Sequence, residues 1–232
     1  ITLQGEVRQA FGWSLDADDS SAMEMEKCFS EPHPFGQEPW SIESRTAALL
    51  SLKQSICSAE RLVIIGAGSE SIQTHQYPGA KFVAADGAVG AIDDLSRVLC
   101  VVSDGDGAEH LERAARHGIH IVLHAHGDNA DIWKHLASKW ANFDSPPPLT
   151  LTYQSMKQYD GMYNPGGFTD GDRALCLIRA FGRSLDVVEC IGFRTDYVGP
   201  WSGTTDPLRK KQKLRWMEES MRRLGVEHHL IN

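Results

Sequence analysis

From about residue 61 the chain alternates apolar runs with polar stretches long enough for helices. The runs are RLVIIG, KFVAAD, VLCVVSD, IHIVLHA, LTLTYQ and VVECIGF. Several are continuously apolar and rich in Val and Ile, the pattern of parallel strands covered on both faces. Strand alternating with helix predicts an α/β fold, a layered, mostly parallel sheet flanked by helices and wound with right-handed crossovers. Residues 1–56 read differently. Polar, helix-like segments surround Glu31-Pro-His-Pro-Phe35 and Pro39, which predicts a small helical N-terminal region, with the main α/β domain taken as 57–232. The segment SIESRTAALLSLKQSI opens with Ser41 at an N-cap position. It spaces Ile42, Ala48, Leu49, Leu52 and Ile56 as a helix does, so it is expected to pack on the sheet. Prolines 146–148 break the chain before LTLTYQ, and Pro207 to Leu224 reads as one closing helix.

At 232 residues the chain suits one sizeable domain with a small accessory piece. No apolar run approaches the roughly 18 residues needed to cross a bilayer, so no membrane partner is expected. The opening ITLQGEVRQAFGW lacks a basic stretch followed by an apolar one, which leads us to expect no secretory signal and a cytoplasmic location. Cys28, Cys57, Cys100, Cys176 and Cys190 are scattered with no CxxC pair, against both a disulfide framework and a thiolate zinc site. A net charge of −8 disfavours nucleic acid as a partner, because binding that backbone needs clustered cations. The one basic run, Arg209-Lys210-Lys211 with Lys213 and Arg215, is short and mixed with acids.

In an open parallel sheet, ligands bind beyond the carboxyl ends of the strands. Those ends are acidic and glycine-rich here. Asp104-Gly-Asp106-Gly107 puts two carboxylates into one small volume, where they repel unless a hard divalent cation neutralises them; an acidic turn capping the next helix is the bland alternative. Asp86, followed by Gly87, serves as an N-cap, a nucleotide contact or a metal ligand equally well. The turn Gly66-Ala-Gly68-Ser69 can present backbone amides to phosphate, but it is neither a full GxGxxG nor a Walker A loop. In His124-Ala-His126-Gly127-Asp128-Asn129 an HxH pair could begin the site of a metal-dependent hydrolase, or one histidine belongs to the core and Asp128 is the functional group. The stretch from Asn164 to Ala174 holds Asp170, Asp172 and Arg173 behind a glycine pair. The acids can favour the positive end of a helix, or Arg173 can grip phosphate beneath a mobile lid edge.

In order and spacing, GAGS, ADGA, SDGDG, HAHGDN and GGFTDGDRA resemble the archaeal 6-hydroxymethyl-7,8-dihydropterin pyrophosphokinase family, related to thiamin pyrophosphokinases. The likeness spans about residues 45–195, and HGDN and GFTDGDRA are its most specific parts. The chain departs from the family where Ser69-Glu70-Ser71 replaces a proline and a large apolar residue, and where Gly105 stands in a loop that is often DLDG.

The resemblance implies a thiamin pyrophosphokinase-like, Rossmann-like catalytic domain that moves the β,γ-diphosphate of ATP to a pterin alcohol. AMP would leave, in a pathway to tetrahydromethanopterin or folate. It implies Mg²⁺ held by Asp104, Asp106 and Asp128, with Asp86 beside nucleotide or metal; such a transfer needs no dedicated base, and Asp128 or His126 is the candidate for one. Gly66, Gly68, Ser69, Gly87, Asn129, Asp170, Asp172 and Arg173 complete the expected ATP-binding set. The expected partners are ATP and a small pterin alcohol, with homodimerisation left open. A related transferase acting on thiamin or an activated sugar, and a non-catalytic nucleotide-binding module, remain alternatives.

Overall fold

The computed structural model describes residues 2–127, 129–203 and 206–231. Seven strands form one all-parallel sheet: β1 (Arg61–Ile65), β2 (Ala80–Ala85), β3 (Val98–Ser103), β4 (His120–Ala125), β5 (Leu149–Tyr153), β6 (Met162–Tyr163) and β7 (Val188–Ile191). Their spatial order is β6-β5-β4-β3-β2-β1-β7. The winding therefore runs one way from β1 to β6 and then returns to the other side of β1. Among the helices are α1 (Thr2–Phe11), α2 (Leu15–Phe29), α3 (Ile42–Ser58), α4 (Ala108–Arg116), α5 (Ala130–Trp140), α6 (Asp170–Ala180) and α7 (Pro207–Leu224). No described helix is long and apolar enough to cross a membrane.

Alternate residues of each strand feed two cores, one on each face of the sheet. Val63, Ile65, Phe82, Val101 and Ile121 pack with Met25 and Phe29 of α2, Trp40, and Trp133 and Trp140 of α5. On the other face Leu62, Ile64, Val83, Val102 and Val122 meet Leu52 and Ile56 of α3, Leu175 and Ile178 of α6, and Met217 and Met221 of α7. Trp133 is fully buried, so truncating it to Ala should cost about 3–5 kcal/mol. Cys100 lies in the second core as a small hydrophobe.

Helix α3 starts where the sequence places it, with the Ser41 hydroxyl accepting from Ser44 N at 3.2 Å. Two crossovers differ from the expected helices. Between β1 and β2, and between β2 and β3, the chain makes 3₁₀ turns instead. The glycines of Asp86-Gly-Ala-Val-Gly-Ala91 are poor helix formers, and a Cβ at Gly90 would strike the His110 ring. The short β6 carries no apolar run in the sequence. It pairs with β5 through Leu151 and Met162.

Helices α1 and α2 bind directly to the strand ends. Asp18 of α2 accepts from Gly127 N at 2.7 Å and from Gln154 Nε2, and is ion-paired to Arg8 of α1 at 3.0 Å.

Candidate active site

Three carboxylates converge beyond the carboxyl ends of β2 and β3. Asp86, Asp104 and Asp106 each offer one oxygen, and these oxygens lie within 4.8 Å of one another. Asp86 closes β2 in a left-handed conformation, φ 49°, which non-glycine residues adopt at a cost and which tertiary contacts must hold. Two contacts do so here. The Ser103 hydroxyl donates to Asp86 Oδ1, and Gly107 packs so close that a Cβ there would stand 2.6 Å from the same oxygen. Ser103 also accepts from Gly105 N at 2.9 Å, which fixes the turn that carries Asp104 and Asp106.

The loop after β4 is fastened to this turn. His126 Nε2 lies 3.1 Å from Asp104 Oδ2. Asn129 donates from Nδ2 to the carbonyls of Asp104 and His124, and its Oδ1 accepts from His126 N and the Ser21 hydroxyl. With donors and acceptor all engaged, Asn129 is a staple between loops. His124 is the core histidine of the pair. It is fully buried, bonded through Nδ1 to Thr152 Oγ1 at 2.9 Å, and burial pushes its pKa well below the usual imidazole range. Asp128 lies outside the described residues.

Burial and the neighbouring Asp170, Asp106 and Asp104 push the Asp86 carboxyl well above the ordinary range. Burial opposes ionisation of Asp104 too, but its hydrogen bond to His126 and the charges of His126, Arg173 and Lys213 outweigh it and hold that carboxyl low. Asp170, at the first turn of α6, is pushed up to about 8 by burial and by Asp104, against the pull of Arg173. Asp86, Asp104 and Asp106 are a group that could hold a cation, and an all-oxygen donor set suits a hard divalent ion.

Asp172 and Arg173 are not brought to the open site. Asp172 is fully buried and accepts from Phe168 N and Thr169 N, closing a capping box on α6. Arg173 is buried behind Asp170 and spends its guanidinium on that carboxylate and on the Phe168 carbonyl. Both were candidates for the nucleotide; the residues of this segment that line the groove are Phe168, Thr169, Asp170 and Gly171.

Gly66 and Gly68 border a narrow pocket on the β1 side of the acids, roofed by residues 192–203, the segment after β7, and Gly87 packs against that roof. Their lack of a side chain is explained by this roof. A Cβ at Gly66 or Gly68 would meet Gly192 O, and one at Gly87 would meet Trp201 O at 2.5 Å. Trp201 also donates from Nε1 to Ser69 O at 2.9 Å, while the Ser69 hydroxyl is buried with no partner among the described residues.

On the opposite side of the acids a cleft of about 580 Å³ opens between Trp13, His126, Gln154 and Lys213. The pocket between the two holds Asp104, Asp106, Asp170, Lys210 and Lys213, so the three form one groove. Trp13, Ser103, Gln154, Trp201, Lys210 and Lys213 escape a sequence reading. Ser103 left a trace as the first letter of SDGDG, and the two lysines as part of the basic run at 209–215.

No family model matches the chain. Among curated proteins it is 31% identical over 177 residues to the 6-hydroxymethyl-7,8-dihydropterin pyrophosphokinase of Pyrococcus furiosus, covering 74% of this chain and 71% of that protein. The enzyme of the same name from Methanothermobacter thermautotrophicus is 31% identical over 155 residues, 60% of this chain and 63% of that one. That of Methanocaldococcus jannaschii is 28% identical over 188 residues, covering 76% and 71%. With its parallel sheet and its acids gathered at the strand ends, this chain belongs to the 6-hydroxymethyl-7,8-dihydropterin pyrophosphokinase family and is an enzyme of that class.

Proposed function

We propose that this enzyme transfers the β,γ-diphosphate of ATP to the hydroxymethyl oxygen of 6-hydroxymethyl-7,8-dihydropterin and releases AMP, in the synthesis of tetrahydromethanopterin or folate. We assign the reaction to the cytoplasm. The observation that carries this reading is the convergence of Asp86, Asp104 and Asp106 beside the glycine turn of β1. Those three carboxylates fit Mg²⁺ in donor type and charge. The chemistry a divalent ion supplies when held there is neutralisation of the phosphate oxygens.

The remaining work falls to the groove. The alcohol oxygen forms a bond to the β phosphorus while the bond from that phosphorus to the bridging α,β oxygen breaks, and AMP leaves with the electron pair. Positioning and charge carry most of such a step. When His126 is neutral and donates from Nε2 to Asp104, its Nδ1 is the basic atom, and the residue borders both the acid pocket and the larger cleft. From there it takes the hydroxyl proton.

The deciding experiment incubates the protein with ATP, Mg²⁺ and the hydroxymethyl pterin and identifies the nucleotide formed. AMP is expected, with little or none when thiamin replaces the pterin, because a site built for the amide edge of a neutral pterin leaves polar groups unpaired with other acceptors. ADP would refute diphosphate transfer, and AMP with thiamin alone would overturn the acceptor. Asp104→Asn and Asp106→Asn should each lower turnover by orders of magnitude with the fold intact.

A further inference from the structure

Two cations in the groove are left free by the rest of the fold. Lys210 and Lys213 stand three residues apart on α7, hence on one helix face, and line the acid pocket together. Lys210 also borders the narrow pocket under the 192–203 roof, and Lys213 the larger cleft beside Trp13. Among the described residues neither ammonium has a carboxylate at ion-pair distance, and the Lys213 ammonium lies 5.9 Å from the centre of the Trp13 ring. Their charge is nonetheless felt by the acids, since Lys210 favours ionisation of Asp170 and Lys213 that of Asp104.

The neighbouring basic groups are committed elsewhere. Arg173 is buried on Asp170, and Arg194 makes a two-pronged pair with Asp196 at 2.9 and 2.6 Å. A triphosphate brings about four negative charges to a groove that already holds several carboxylates, so uncommitted cations are needed on the facing wall. Lysine is a point-charge phosphate binder on a flexible stem, suited to a group that moves during transfer.

We propose that Lys210 and Lys213 are the phosphate-holding cations of this enzyme, gripping the donor triphosphate across the groove from Asp86, Asp104 and Asp106. The proposal rests on the reading of the groove as a phosphate-transfer site. Its test is calorimetric titration of inorganic tripolyphosphate with Mg²⁺ into the wild type, Lys210→Met, Lys213→Met and the double variant. Lys211→Met, on the exposed side of α7, is the control.

Each single change should weaken binding by about tenfold and the double change by more, while Lys211→Met binds like wild type. A folded double variant that binds tripolyphosphate within about twofold of wild type overturns the proposal. If the double variant does not fold, the single variants decide by the same criterion. Because this titration needs no acceptor, it separates from the assay for AMP. Lysine-dependent binding without AMP formation refutes the reaction and leaves the clamp standing, whereas turnover with lysine-independent binding refutes the clamp alone.

Discussion

Arg173 stands directly behind Asp170, with Nη1 2.8 Å from Asp170 Oδ1 and its side chain only 2% exposed. A second donation, from Nη2 to Phe168 O at 2.9 Å, needs the other arm of the guanidinium. Lysine has one ammonium and cannot make both bonds. Arg173→Met should cost about 1–3 kcal/mol in urea unfolding, because it leaves the Asp170 carboxyl and the Phe168 carbonyl without their buried donor. Arg173→Lys should cost less and leave ATP affinity within about twofold of wild type. A large loss of ATP affinity in Arg173→Lys at unchanged stability would make Arg173 a phosphate ligand after all.

Asp86→Asn separates stability from function. Asparagine tolerates a left-handed backbone as well as aspartate does and keeps the close fit to Gly107, but it removes one of three converging charges. The ion-free protein should gain about 1 kcal/mol at neutral pH, read from thermal unfolding, while turnover falls by orders of magnitude. A less stable Asp86→Asn protein would mean that the carboxylates do not strain the fold.

The Asp170 carboxyl, held up to about 8, gives a signed pH effect. Its contribution is fully present below the ordinary carboxylate value of about 4 and is lost as pH rises through about 8, since the unfolded chain releases the proton first. Asp170→Asn removes that loss. Its stability relative to wild type should therefore improve steadily from pH 5 to pH 8, and a flat difference across that range counts against the raised value.

His126 helps to hold Asp104 ionised. His126→Gln should let that carboxyl take up a proton at higher pH, so the acid limb of the kcat/KM profile moves toward neutrality. An acid limb in place, with only the maximum rate reduced, would confine His126 to proton transfer.

Gly199 tests the roof. A Cβ there would sit 2.1 Å from Ala67 O, a backbone atom that cannot swing aside. Gly199→Ala should cost about 1–3 kcal/mol and weaken ATP binding, as the 192–203 segment lifts from the glycine turn. Gly5→Ala within α1, where a Cβ meets nothing within 4 Å, should instead stabilise by about 0.5–1 kcal/mol.

The strands were legible because their apolar runs are nearly uninterrupted, and β1, β3 and β4 begin and end within a residue or two of where the runs do. The acids were legible for a related reason: strand ends in a parallel sheet share one edge, so Asp86, Asp104 and Asp106 had to be neighbours. Less legible was local chemistry with two uses. Asp172 followed by Arg173 reads as ligand or as helix cap with the same letters, and the capping box and the burial of Arg173 are visible only in the folded chain. Likewise Gly66 and Gly87 advertise a close approach without saying to what, and the partner proved to be a segment more than a hundred residues later. Lys210 and Lys213 were seen only as charge, because nothing in a linear pattern says which strand ends α7 will cross.

The return of the chain to β1 has a consequence for how the protein acquires activity. Arg61 of β1 and Glu189 of β7 are ion-paired although 128 residues apart in sequence, a contact that can form only after most of the chain has been made. Until then β1 is an open edge of the sheet, ready to pair with a strand of another molecule. The roof over the glycine turn and the lysines of α7 follow β7, so the groove is the last part of the molecule to assemble. A nascent or truncated chain lacking these elements would be both catalytically silent and prone to aggregate.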